Sequence, residues 1–166
     1  MILFAALISG CSDDGSPTPD NGPRNAQEKA ELARKIQESG GPGATAKDQF
    51  LPVLEAEYAK VEWPKKYTMT TDALWQKLGG DQNATALTQS DASSMVTIWN
   101  ICAWSLQLVD DTKADRSTQA AEAGLAELNK SEMRDAVKPI LDDARLGGLS
   151  TANQFIEAND CKKGFA

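Results

Sequence analysis

Apolar residues come in short, well-separated groups along this chain, and the spacing within each group sets the elements it predicts. Ile2 to Ile8 is a brief apolar run. Ser12 to Arg24 has no aliphatic or aromatic side chain beyond its prolines, so it reads as an extended, solvated tether. Asn25 to Ser39 is helix-forming with a thin stripe, Leu32 and Ile36 among alanines, and stops at Gly40-Gly41-Pro42-Gly43. Phe50, Leu51, Val53, Leu54 and Tyr58 predict a helix from about Leu51, with Pro52 in its first turn. Val61 to Pro64 reads as extended, because the residue before a proline is pushed out of the helical region. A short helix over 72–78, capped by Thr71 or Asp72, ends at Gly79-Gly80.

The centrepiece is Ser90 to Asp110. Met95, Trp99, Cys102, Leu106 and Val109 recur at steps of four, three, four and three, which is one helical face. Ile98, Ile101, Trp104 and Leu108 widen it until the helix is apolar most of the way round, the pattern of a bundle's central member. Ser90 and Asp91 are its expected caps. Ala120, Ala121, Leu125 and Leu128 give the narrower stripe of a peripheral helix over 116–129. Ser131 is placed to cap the next helix, whose face is Met133, Val137, Ile140, Leu141 and Ala144. Pro139 interrupts that face, so a kink or two short helices are expected there. Ser150 or Thr151 opens a last helix through Phe155 and Ile156, which carries Cys161 towards Cys102.

These elements predict an all-α fold, a small irregular bundle of about five helices, clipped by one disulfide. The expected organisation is a signal segment over 1–10, a tether over 11–24, a loose helix and Gly/Pro linker over 25–46, and a helical domain over 47–166. Composition narrows the function. Apolar residues make up 41% of the 166 and charged residues 25%, so a packed core is within reach. The net charge of −7 disfavours nucleic acid and polybasic membrane docking. The chain has no histidine, which removes His-based nucleophile systems and His-ligated metal sites. No cofactor is expected.

The acidic doublets Glu55 and Glu57, Asp110 and Asp111, and Asp142 and Asp143 could supply carboxylates for glycoside hydrolysis. Residues one or two apart on a helix do not face each other, so no doublet is a working pair by itself. Asp110 to Asp115 offers oxygens after a helix but lacks the spacing of a calcium loop; turn and capping chemistry explains it better. Trp99 and Trp104 belong to the core by position, whereas Trp63, Tyr67 and Trp75 flank loops and form the candidate binding surface. Trp63-Pro64-Lys65-Lys66-Tyr67 is where aromatics and cations interleave. Neither a phosphate-cradling glycine loop nor a Gly-x-Ser-x-Gly elbow occurs.

The apolar run at the start is far below the ~20 residues of a transmembrane helix, and small residues follow it, as at a signal-peptide cleavage point. Leu7-Ile8-Ser9-Gly10-Cys11 resembles the lipobox of bacterial lipoproteins. The resemblance implies cleavage before Cys11, lipid on its sulfur, and a mature chain tethered to a membrane, with the domain up to about 40 Å away. Setting Cys11 aside leaves Cys102 and Cys161, an even pair that reads as a disulfide in an exported chain and as two reduced thiols in a cytosolic one. Neither has a CxxC partner or a histidine to activate it. The run Ile98-Trp99-Asn100-Ile101-Cys102-Ala103-Trp104 with the near-terminal Cys161 resembles uncharacterised small secreted helical proteins of actinobacteria. That resemblance implies export, helices and the disulfide only, and brings no activity with it.

The expected function is therefore a membrane-anchored, extracytoplasmic lipoprotein acting as a binding or interaction module, with an envelope protein or glycan as partner and no nucleic acid. Two alternatives stand beside it: a carboxylate-dependent hydrolase of cell-envelope polymers, with its acids drawn from separate helices, and a structural envelope protein.

Overall fold

The computed structural model describes residues 47–78 and 87–165, together with Gln27, Glu31 and Arg34. Cys11, the tether and the Gly/Pro linker lie outside the described residues. Gln27, Glu31 and Arg34 are helical and exposed, inside the helix expected over 25–39, and Arg34 pairs with Glu31 at 2.6 Å. The described residues are helical and contain no strand.

From Lys47 onward the described residues form seven helices in order: α1 (Lys47–Tyr58), α2 (Thr71–Lys77), α3 (Gln89–Lys113), α4 (Gln119–Leu128), α5 (Arg134–Arg145), α6 (Ser150–Ala158) and α7 (Cys161–Gly164). The central helix is α3, about 37 Å long at 1.5 Å per residue. Every residue from Trp99 to Leu106 on it is buried, which requires neighbours on all sides. They are α1, α4, α6 and α7. The peripheral helices pack on one another in sequence, α1 with α2, then α4 with α5, α5 with α6 and α6 with α7. The core they close contains Phe50, Leu54, Leu74, Ile101, Leu108, Leu125 and Ile140, each at most 1% exposed.

The ends of α3 are set by side chains the periodicity does not report. Its cap is Thr88, not Ser90 or Asp91, and Asp91 stands at the third helical position. The Asp91 carboxylate accepts the Thr88 backbone N–H at 2.7 Å and the Thr88 hydroxyl accepts the Asp91 N–H at 3.3 Å, a reciprocal capping box. At the other end the helix runs three residues past Asp110. Asp111 is 6% exposed and its carboxylate is held by the Gln107 amide at 2.8 Å and by Arg116 at 2.8 Å, which makes a further turn favourable. The chain leaves through Asp115 in the left-handed region, φ 52°, with the Arg116 N–H on the Asp111 carbonyl at 2.8 Å.

Both helix-interior prolines are tolerated where a boundary or break was expected. Pro52 is the sixth residue of α1, so that helix starts four residues ahead of the first-turn placement. Each proline forfeits one backbone bond, about 3 kcal/mol at an internal position. In α1 the burial of Phe50, Val53 and Leu54 at 0% exposure outweighs it. In α5, Pro139 lies inside one helix and does not divide it into two. Pro139 and Asp135, whose carbonyl loses its donor, are both exposed, so the unpaired carbonyl stands at the surface where solvent can reach it.

The start of α6 is capped from outside. Neither Ser150 nor Thr151 caps it; the Asp143 carboxylate on α5 accepts the Thr151 N–H at 2.9 Å. Gly148 allows this approach, since a Cβ there would lie 2.0 Å from Asp143 Oδ1. Gly147, at φ +78°, turns the chain between the two helices. The last helix does not itself deliver Cys161: α6 stops at Ala158, Asp160 reverses the chain at φ 50°, and Cys161 opens the separate turn α7.

Candidate functional site

Cys102 and Cys161 form a disulfide, 59 residues apart in sequence and 5.4 Å apart at Cα, with both residues 0% exposed. It fastens α7 to the middle of α3. Next to it Gly164 lies flat on the Trp99 indole, where a Cβ would come within 2.1 Å of the ring. Trp99 and Trp104, at 7% and 9% exposure, are in the core as their positions require.

The three candidate surface aromatics fare differently. Trp75 is 2% exposed and its ring meets Phe50 at 5.9 Å, so it is a core residue and no part of a surface. The reason is helical phase: α2 is short, and Leu74 and Trp75 together are what it has to bury against α1. Trp63 is half-buried and stacks on Tyr58 at 5.0 Å, 18° from parallel. Tyr67 is half-buried and sets its edge against Phe165 at 5.8 Å, which in turn meets Trp99 at 5.9 Å. Each of the three rings thus packs on a different partner.

Lys66 and Tyr67 are engaged by α3. The Lys66 ammonium and the Tyr67 hydroxyl both donate to Asp110 Oδ2, more than forty residues away in sequence. The Lys66 bond, then the Tyr67 bond, holds the Asp110 carboxyl below the usual carboxylate range. Burial, followed by the bond to Asp110, pushes the Tyr67 hydroxyl up. Lys66 is pushed up by its bond to Asp110. This triad closes the loop between α1 and α2 onto the central helix.

The acidic doublets are likewise split. Glu57 is 6% exposed and accepts from Lys60 at 2.6 Å and Gln89 Nε2 at 2.9 Å, while Glu55 is exposed. Asp143 caps α6, and the half-buried Asp142 pairs with Lys138 and Arg145. Among the described residues no three Cys, Asp or Glu side chains converge as a metal site.

A cleft of about 720 Å³ opens between α3, α4 and the 60–62 segment. Thr97, Asn100 and Trp104 form its α3 wall, and Ala120, Ala123 and Gly124 its α4 wall. Its base is fixed by one carbonyl. Glu62 O accepts the Asn100 amide at 2.8 Å and the Trp104 indole N–H at 3.1 Å. Asn100 is 1% exposed, so this is a buried polar group with its partner in place. Gly124 lets α4 approach: a Cβ there would stand 2.3 Å from the Trp104 ring. In the sequence Ala120 belongs to the narrow stripe with Ala121, Leu125 and Leu128, and Ala123 and Gly124 carry no signal of the cleft, which forms where the 60–62 segment lies opposite.

The lining is mixed: an indole, an amide, two hydroxyls and small apolar groups, together with the charged Lys60, Glu62 and Glu127. Such a surface can hold a ligand by shape and hydrogen bonding. Compared with protein-family models, with curated proteins and with solved structures, the chain matches none.

Proposed function

We propose that this chain is a lipid-anchored, extracytoplasmic binding module, attached through Cys11 and presenting its helical domain to the cell envelope. The observation that carries the reading is the buried disulfide. It joins the two cysteines that remain once Cys11 is assigned to lipid, and such bonds persist in oxidising compartments and are rare in the cytosol. The cleft beside Trp104 supports the binding role, with a peptide or glycan of the envelope as its ligand class. The acidic residues support a hydrolase less well, because Glu57, Asp111 and Asp143 are each occupied in holding the fold.

Intact-mass measurement of the protein extracted from its native membrane, with and without reductant and alkylating agent, tests the reading. The expected species begins at a diacylated Cys11 and takes up alkyl groups at Cys102 and Cys161 after reduction alone. A chain starting at Met1 with three alkylatable thiols would overturn it.

A further inference from the structure

The domain belongs to a chain of net charge −7, yet its exposed lysines are not evenly spread. Contacts link several of them around the Tyr67–Phe165–Trp99 ring cluster. Lys66 lies 5.0 Å over the Tyr67 ring and pairs with Asp110. Lys77 lies 5.3 Å over the Trp99 ring and donates to the Lys163 carbonyl at 3.4 Å. Lys163 pairs with Asp160 at 3.0 Å. Lys65 and Lys162 adjoin these in sequence and pair with no carboxylate of the described residues. All five lysines are exposed, and the acids bonded into the patch are Asp110 and Asp160. The half-buried rings of Tyr67 and Phe165 belong to the same cluster as Lys66, Lys77 and Lys163.

We infer that this lysine-and-aromatic patch is a docking surface for an anionic lipid headgroup layer. The chemistry is complementary in two ways. Ammonium groups on flexible stems meet headgroup phosphates without needing a shaped pocket. Half-buried aromatic rings between them suit the boundary where one side is wet and the other apolar. The remainder of the surface carries the acidic excess, so repulsion orients the domain with this patch towards the layer. Net charge alone argues against such a partner; placement of the charges reverses the argument locally. The inference rests on the lipoprotein reading for what brings the domain to a membrane, but the contact itself needs no acyl chain.

The test uses the full chain carrying Cys11→Ser, so that no lipid is attached, and vesicle flotation as the readout. The protein is expected to float with phosphatidylcholine vesicles that contain phosphatidylglycerol, not with phosphatidylcholine alone, and to be released as salt rises. Lys77→Glu with Lys163→Glu should lower partition by about tenfold or more, while Lys130→Glu with Lys138→Glu, the same change in net charge outside the patch, should leave it within about twofold. Both pairs should keep the wild-type helical circular dichroism, since the sites are exposed. Equal flotation on neutral vesicles, equal loss in the two pairs, or capture by soluble polyphosphate with no vesicle bound would each overturn the docking surface. The intact-mass result is independent of all of these, so loss of one reading is distinguishable from loss of the other.

Discussion

Asp110 shows how far a single side chain can be committed. It receives a lysine and a tyrosine from a loop that has no helix of its own, and both bonds favour its charged form. A carboxyl depressed in the folded state contributes stability that is present above its unfolded pKa, about 3.9, and is lost as pH falls through the folded value. Tyr67, raised in the folded state, contributes stability that is present below about 10 and is lost as pH rises through its folded value. Asp110→Asn should therefore flatten the acid limb of a plot of urea midpoint against pH, most visibly below about pH 4. Parallel acid limbs for variant and wild type would show that the triad contributes nothing there. In the sequence, Tyr67 belongs to the candidate binding surface and Lys66 to the cations interleaved with its aromatics, and neither points to Asp110. Their partner lies more than forty residues away, and no local spacing reports such a pairing.

At the scale of elements, what was legible was the part governed by period. The face through Met95, Trp99, Cys102, Leu106 and Val109 placed α3 at the centre, and the stripes at 120–128 and 133–144 placed α4 and α5 around it. Boundaries were less legible, because they depend on which side chain reaches which backbone group. Thr88 caps ahead of Ser90, Pro52 and Pro139 are carried inside helices, and α6 takes its cap from another helix. That borrowed cap has a measurable weight. Asp143→Ala should cost about 1 kcal/mol in urea denaturation, the usual value of a lost N-cap. Asp142→Ala, next door, removes exposed ion pairs alone and should stay within about 0.5 kcal/mol. Equal losses at the two positions would mean that the Thr151 bond contributes nothing to α6. The cleft was nearly illegible for a related reason: Ala120, Ala123 and Gly124 signal closeness between helices, but the gap forms where the 60–62 segment crosses them.

For the molecule as a whole, the disulfide is the strongest single constraint. It closes a loop of 59 residues and ties the end of the chain to its central helix. In the chain-entropy model a loop of that size contributes roughly 4 kcal/mol, so the Cys102→Ala, Cys161→Ala variant should lose most of that in urea while keeping its helical circular dichroism. An unchanged midpoint would mean that packing by α6 and Phe165 already holds the terminus in place.

The burial of that bond also bears on how the domain acquires it. Both sulfurs are sealed from solvent once the bundle closes, so the pairing has to be chosen while the chain is still open. If the chain is exported amino end first, as proposed above, Cys102 emerges well ahead of Cys161, and the thiol already waiting for it is Cys11. Three free cysteines allow three pairings, two of them wrong. A thioether to lipid at Cys11 removes its sulfur from exchange and leaves one. On the reading proposed above, the group that holds the protein at the membrane also acts as a protecting group during oxidative folding.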